Sequence, residues 1–229
     1  SFSGANTTGS SDVLTIKVGN DLTKAGTAIN ADSITANGYE TINLEAVHGS
    51  SATVGGNRTS TVVTFTSDKA TAVNLTGTAF DLQNAALTKA TTYDATALTG
   101  DGTTSGSKGL TLVGSLVATS TVKGSEFIDT VTVGTTGSTY NLNGGKDVVT
   151  ATQANLAGSL AVDGGAGVDN LKLNDADAGN GATFTITDNS FANTSNFETI
   201  TVVNGQAGDI TWNLGGYANG LATAAGGTL

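Results

Sequence analysis

The sequence predicts an all-β chain, a parallel β-helix or β-solenoid of β-roll-like form with at most one or two short helices; the alternative is a set of β-sandwich modules. Three observations predict it. Short runs alternating apolar with polar residues recur along nearly the whole length, which is the period of a strand. Gly, Asn, Asp or Ser separates most of these runs, and turns require such residues. Proline is absent from all 229 residues, so every backbone N–H remains available to a ladder.

Taken in order, the runs are Leu14 to Val18, Thr41 to Leu44, Val62 to Thr66 and Ala72 to Thr76. Residues Ala79 to Ala90 break the pattern. There Phe80, Leu82, Ala86 and Leu87 fit one helical face with Asp81 in a first turn, so a short helix or helical loop is expected. Alternation resumes at Leu110 to Val113 and Asp129 to Val133. A second, weaker helical stretch covers Ala151 to Ala157. Strand pattern then returns at Val168 to Leu173, Thr183 to Thr187, Thr199 to Val203 and Ile210 to Leu214. The Gly- and Ser-rich stretch Thr99 to Gly109 reads either as one long turn or as a linker. The expected organisation is therefore one repeat-built module over 1–229, with a subdivision near 105 (1–105 and 106–229) as the alternative. The first residue is Ser, which fits a piece of a longer protein or a mature product.

One stretch carries chemistry as well as structure. Asp163-Gly164-Gly165-Ala166-Gly167-Val168-Asp169-Asn170-Leu171 contains G-G-x-G-x-D-x-hydrophobic, the calcium-binding nonapeptide of parallel β-rolls. Adjacent glycines open turn conformations closed to other residues and turn carbonyl oxygens inward, and Asp169 adds a hard carboxylate of the type Ca²⁺ prefers. Asn143-Gly144-Gly145-Lys146-Asp147 is a copy one residue short, and Gly124 to Asp129 keeps one Gly and the Asp. The candidate metal ligands are thus Asp169 with Gly165 and Gly167, then Asp163, Asp147 with Gly145, Asp129 and Asp12. The pair Asp175 and Asp177 forms a D-x-D on an expected loop. The bland alternative for each Asp is a turn residue bonding its own backbone.

A longer repeat frames the chain. Asn37-Gly38-Tyr39-Glu40-Thr41-Ile42 matches Ser195-Asn196-Phe197-Glu198-Thr199-Ile200, and the spacing from Asp12 to Glu40 is within one residue of that from Asp169 to Glu198. Recurrence of the glutamate points to a shared structural task, closing a coil through a hydrogen bond to neighbouring backbone. Tyr39 and Phe197 read as core plugs. Such repeats imply stacked units with a continuous core.

Composition narrows the function. Lys and Arg number 9 against 19 Asp and Glu, for a net charge of −10. Nucleic acid is excluded as a partner, because phosphate binding needs a basic surface. Cysteine is absent, so no disulfide staples the fold. No apolar run reaches the length of a membrane span, and no charged-then-apolar leader opens the chain. His48 is the only histidine; zinc chemistry and a Ser-His-Asp triad lack their partners, and the ring reads as solvated on a turn. Enzymatic activity is not expected.

The nonapeptide, its degenerate neighbours and the aromatic-Glu-Thr-Ile units resemble those of bacterial surface-layer proteins related to RTX-type calcium-binding secreted proteins. The resemblance implies Ca²⁺ as cofactor, export by type I secretion, an extracellular location at the cell surface, and self-association into a lattice or homo-oligomer. A cell-surface polysaccharide is a further implied partner. The runner-up is an adhesin, or an ice- or glycan-binding segment of an RTX-type surface protein. It draws on the T-x-T strands Thr64/Thr66, Thr130/Thr132, Thr185/Thr187 and Thr199/Thr201.

Overall fold

In the computed structural model, residues 2–3, 9–19, 28–48, 58–89, 91–103, 106–114, 116–134, 136–174, 184–202 and 210–223 are described. From the amino end the strands are β1 (Phe2–Ser3), β2 (Val13–Gly19), β3 (Ile29–Asn37), β4 (Thr41–Val47), β5 (Thr59–Ser67), β6 (Ala72–Gly77), β7 (Ala79–Leu82), β8 (Ala85–Leu87) and β9 (Thr92–Leu98). They continue as β10 (Lys108–Leu112), β11 (Thr121–Lys123), β12 (Ile128–Thr132), β13 (Thr139–Asn141), β14 (Gly144–Gly145) and β15 (Val148–Ala151). Helix α1 (Gln153–Gly158) is followed by β16 (Ala161–Asp163), β17 (Ala166–Gly167), β18 (Asn170–Leu173) and β19 (Phe184–Thr187). A 3₁₀ turn at Asp188–Phe191 leads to β20 (Thr194–Ser195), β21 (Thr199–Val202), β22 (Ile210–Asn213) and helix α2 (Gly216–Thr223).

Two long parallel sheets organise the chain. The first runs β1-β3-β5-β7-β10-β12-β15-β18-β21, with β8 also on β5; the second runs β2-β4-β6-β9-β11-β13-β16-β20. Most coils give one strand to each sheet, so the chain is a parallel β-solenoid-like fold, as its alternation predicts. A narrow third strip pairs β14 with β17, and β19 pairs with β22 apart from the long sheets. Both long sheets pass unbroken over the Gly- and Ser-rich stretch: β7 pairs with β10 and β9 with β11.

Register decides what is buried. In the second sheet Leu14, Ile42, Val73, Tyr93, Val122, Tyr140 and Val162 form one row pointing inward. The facing row of the first sheet is Val62, Leu82, Leu112, Val131, Val149, Leu171 and Ile200. The two rows meet in a single apolar core, each side chain covering its neighbours along the stack. Residues offset by one along each strand point out. On the second sheet they form the polar row Thr15, Asn43, Asn74, Asp94, Lys123, Asn141, Asp163 and Ser195. Rungs of this row bond to one another: Asn74 Nδ2 donates to Asn43 Oδ1 (2.8 Å), and Lys123 Nζ sits 3.2 Å from Asp94 Oδ2.

The helix expected at Ala79 to Ala90 is not there; β7 and β8 occupy that stretch. Phe80 and Leu82 alternate, as do Ala85 and Leu87, and all four are buried. A bend at Gln83–Asn84 joins the two pairs, so two period-two runs offset by the bend imitated a helical face. The weaker helical stretch is real: α1 overlaps it from Gln153 and runs one residue past its end, capped by Thr152 Oγ1 accepting from Asn155 N (3.1 Å). Among the described residues no helix is long and apolar enough to cross a membrane.

Candidate functional site

The Gly/Asp corners stack into a single file of carboxylates. Asp129, Asp147 and Asp169 each precede or open an inward-alternating strand, so the register that aligns β12, β15 and β18 also aligns them. All three have no exposed surface. Each carboxylate accepts a backbone N–H from the coil before it. Leu110 N donates to Asp129 Oδ1 (2.6 Å), Asp129 N to Asp147 Oδ1 (2.8 Å), Asp147 N to Asp169 Oδ1 (2.7 Å) and Asp169 N to Glu198 Oε2 (2.6 Å). Ser125 adds its N–H and its hydroxyl to Asp129, at 2.6 and 2.9 Å. A Cβ on Gly145 would fall 2.7 Å from Asp147 Oδ1, so glycine is what lets the carboxylate close against the turn.

Only half of each carboxylate is used further along the file. Asp147 Oδ2, Asp169 Oδ2 and Glu198 Oε1 are buried and accept no hydrogen bond. Buried unpaired oxygens of this kind are costly when charged. Burial pushes Asp147 up to about 9, against the relief of the Asp129 N–H, and the charges of Asp129, Asp169 and Glu126 add to the rise. Asp129 rises to about 6 through burial, opposed by its bonds from Leu110 and Ser125. Asp169 rises to about 6 through burial, with Glu198 and Asp163 adding to it.

The structure sorts the sequence candidates. Asp129, Asp147 and Asp169 share the file. Gly145 and Gly167 face each other across the β14–β17 strip, and Gly165 packs in the same turn against Asn143. Asp163 stands apart on the outward row, where its Oδ1 accepts from Gly165 N (3.0 Å) and Asn196 Nδ2 (2.6 Å). Asp12 lies in the first repeat, far along the stack, with its N–H donating to Glu40 Oε2 (2.9 Å). Asp175 and Asp177 lie outside the described residues.

The glutamates close coils as their recurrence suggests. Glu40 N donates to Asp12 O and Glu198 N to Asp169 O, each returning the bond that its own carboxylate accepts. The residue two before each glutamate, Gly38 or Asn196, takes the same left-handed turn at φ 88° and 57°. The repeats differ in cover: Lys69 Nζ lies 3.9 Å from Glu40 Oε1, whereas Glu198 Oε1 has no partner.

Glu198, the recurring glutamate, joins the file itself. Two carboxylates escaped the sequence reading. Glu126 stands beside the file, lining a groove of about 340 Å³ with Gly106, Ser107, Phe127, Ile128, Gly145 and Lys146. Asp101 is fully buried in the Gly- and Ser-rich turn, its Oδ1 accepting from Thr103 N (3.0 Å) and Lys108 N (3.0 Å). A Glu at a degenerate motif position and an Asp between glycines were the available signals. His48, expected to be solvated, is buried at 7% exposure, because the β4 exit turns its ring under β5.

Among the described residues no three His, Cys, Asp or Glu side chains gather around one point. The file instead offers hard oxygens with unused lone pairs on adjacent rungs, donors of the type a divalent cation of the calcium kind accepts. No family model, no curated protein and no solved structure matches the chain.

Proposed function

We propose that the chain is a segment of a secreted cell-surface protein, a calcium-stabilised β-solenoid that contributes to a surface-layer lattice and performs no catalysis. One observation carries this reading: buried carboxylates stacked on adjacent coils, with Asp147 Oδ2 and Asp169 Oδ2 lacking any donor. Asp147 and Asp169 would hold the ion, with Gly145 and Gly167 lining the turn. Bound Ca²⁺ supplies the positive charge that lets these side chains stay ionised while buried.

The coupling follows from mass action. Extracellular sites bind Ca²⁺ with Kd on the order of 10⁻⁴–10⁻³ M, so they stay empty at cytoplasmic calcium and fill outside. A tenfold excess over Kd stabilises the folded form by about 1.4 kcal/mol per site. The outward row supports packing between copies: its one Lys is paired with Asp94, so few unpaired charges would lose water at a contact.

Melting in chelator, in 10 mM Ca²⁺ and in 10 mM Mg²⁺ tests the reading. Ca²⁺ should raise the midpoint by about 5 °C, taking about 2–4 °C per kcal/mol for a chain of this size, and Mg²⁺ should not, since it dehydrates reluctantly. Equal midpoints in chelator and Ca²⁺ would overturn it. Light scattering and negative-stain imaging of the same samples should show ordered sheets only with Ca²⁺.

A second reading, ice or glycan binding, has one observation in its favour. Thr92, Thr121 and Thr139 stand in register on adjacent strands of the second sheet. The T-x-T strands do not form such a row: Thr199 aligns with Asn170 and Thr201 with Lys172. Ice binding requires thermal hysteresis; the lattice reading expects none, and a clear hysteresis gap would reverse the order of the two.

A further inference from the structure

The single histidine holds three strands together. His48 leaves the end of β4 and places Nε2 2.9 Å from Ser60 Oγ on β5. Ser60 Oγ in turn donates to Val18 O on β2 at 2.8 Å. A serine hydroxyl has one proton. With that proton given to Val18, Ser60 can only accept from the ring, so Nε2 carries the hydrogen and Nδ1 is the bare nitrogen. Nδ1 is buried and has no hydrogen-bond partner, and Ser60 has no exposed surface.

This arrangement tolerates only the neutral ring. A proton added at Nδ1 would place an N–H and a positive charge at a buried point with no acceptor among the described residues. Among the described residues, the charges on the elements around the ring are Arg58 before β5, Lys17 on β2, Glu45 on β4, Asp32 on β3 and Asp81 on β7. Lys17 and Glu45 are paired with each other at 3.0 Å. Among the described residues no carboxylate bonds to either ring nitrogen, and Arg58 opposes a second positive charge.

We propose that His48 is an acid-sensitive latch: it ties the amino-terminal coils together while its ring is neutral and releases them when the ring is protonated. Burial, then Arg58, lowers its titration below the ordinary 6.5. The unfolded chain therefore takes the proton first. The latch contributes fully above about pH 6.5, and its contribution is lost as pH falls from there toward the folded value. This response is opposite in sign to that of the raised aspartates in the file, so acid loosens one end of the stack while it relieves the other.

The whole chain, labelled with ¹⁵N in its one histidine, tests the latch between pH 7.5 and 5.5 alongside hydrogen exchange corrected for intrinsic rate. The ring should show the Nε2–H tautomer and titrate below 6.5. Protection of β2, β4 and β5 should fall on acidification, approaching tenfold per pH unit, while that of β12, β15 and β18 does not. His48→Gln keeps an N–H for Ser60 but cannot titrate, so its amino-terminal protection should become insensitive to pH. An Nδ1–H tautomer, a titration at or above 6.5, or the same acid loss in His48→Gln would overturn the proposal. Should the variant not fold, the tautomer and titration of the natural chain decide the matter alone.

Discussion

Gly167→Ala should lower the melting temperature by about 10 °C. Gly167 has φ +149°, where side chains are strained, and a Cβ there would overlap the carbonyl of Gly145 on the neighbouring coil. Both partners are backbone in the paired β14–β17 strip, so no rotamer change relieves the overlap. Strain costs about 1–3 kcal/mol and overpacking a similar amount, together about 4 kcal/mol; at about 2–4 °C per kcal/mol this gives the expected shift. Gly216→Ala is the matched control: nothing lies within 4 Å of its Cβ, and alanine suits the helix that begins there. Calorimetry of the two variants side by side decides it, and equal midpoints would mean that the turns do not stack as described.

In chelator, acid should stabilise the carboxyl-terminal coils. The folded titrations of Asp129, Asp147 and Asp169 lie at about 6, 9 and 6, above the unfolded value of 3.8. The folded chain therefore binds more protons between these limits, and stability falls as pH rises. The contribution is complete below about pH 4 and is lost progressively as pH climbs to about 9. Each unit of separation is worth about 1.4 kcal/mol, so urea unfolding at pH 5 and pH 8 should differ by several kcal/mol. Asp147→Asn keeps an oxygen for the Asp129 N–H and carries no charge. At pH 8 without calcium it should exceed the natural chain by about 2 kcal/mol, since folding no longer has to protonate a carboxyl group that is ionised in the unfolded chain. It should also flatten the pH slope and lose most of the calcium response. A variant as pH-dependent as the natural chain would show that the charge resides elsewhere.

Much of this was legible in the residues. Strand alternation located β2, β4, β5, β6, β10, β12, β18 and β21, because a buried row leaves an apolar residue at every second position; it passed over β3 and β9, and over β11, β13 and β16, whose three residues are too few to show a period. The Gly-Gly-x-Gly-x-Asp turn located the corner, and the repeated glutamate announced its bond to the preceding coil. What failed, failed for reasons of register. Residues 79–87 join two short strands through a bend, and the composite period mimicked a helix. Asp163 sits six residues from Asp169 in sequence but on the outer row, since distance along a coil does not say which side chains stack. His48 looked solvated because nothing local reveals that β5 will pass over it. Glu126 was passed over because its motif copy keeps only one Gly, so nothing local marks it as a neighbour of the file.

The carboxylate bonds between successive turns of the file point one way: an amide on one turn of the chain is met by an acid group supplied by the next. A polypeptide that orders from its amino end thus presents each arriving side chain with a donor already in place. Ordered in reverse, Asp147, Asp169 and Glu198 would each wait for the amide that meets it. Growth from the amino end is therefore the expected direction of assembly, the one in which no acid group precedes its donor.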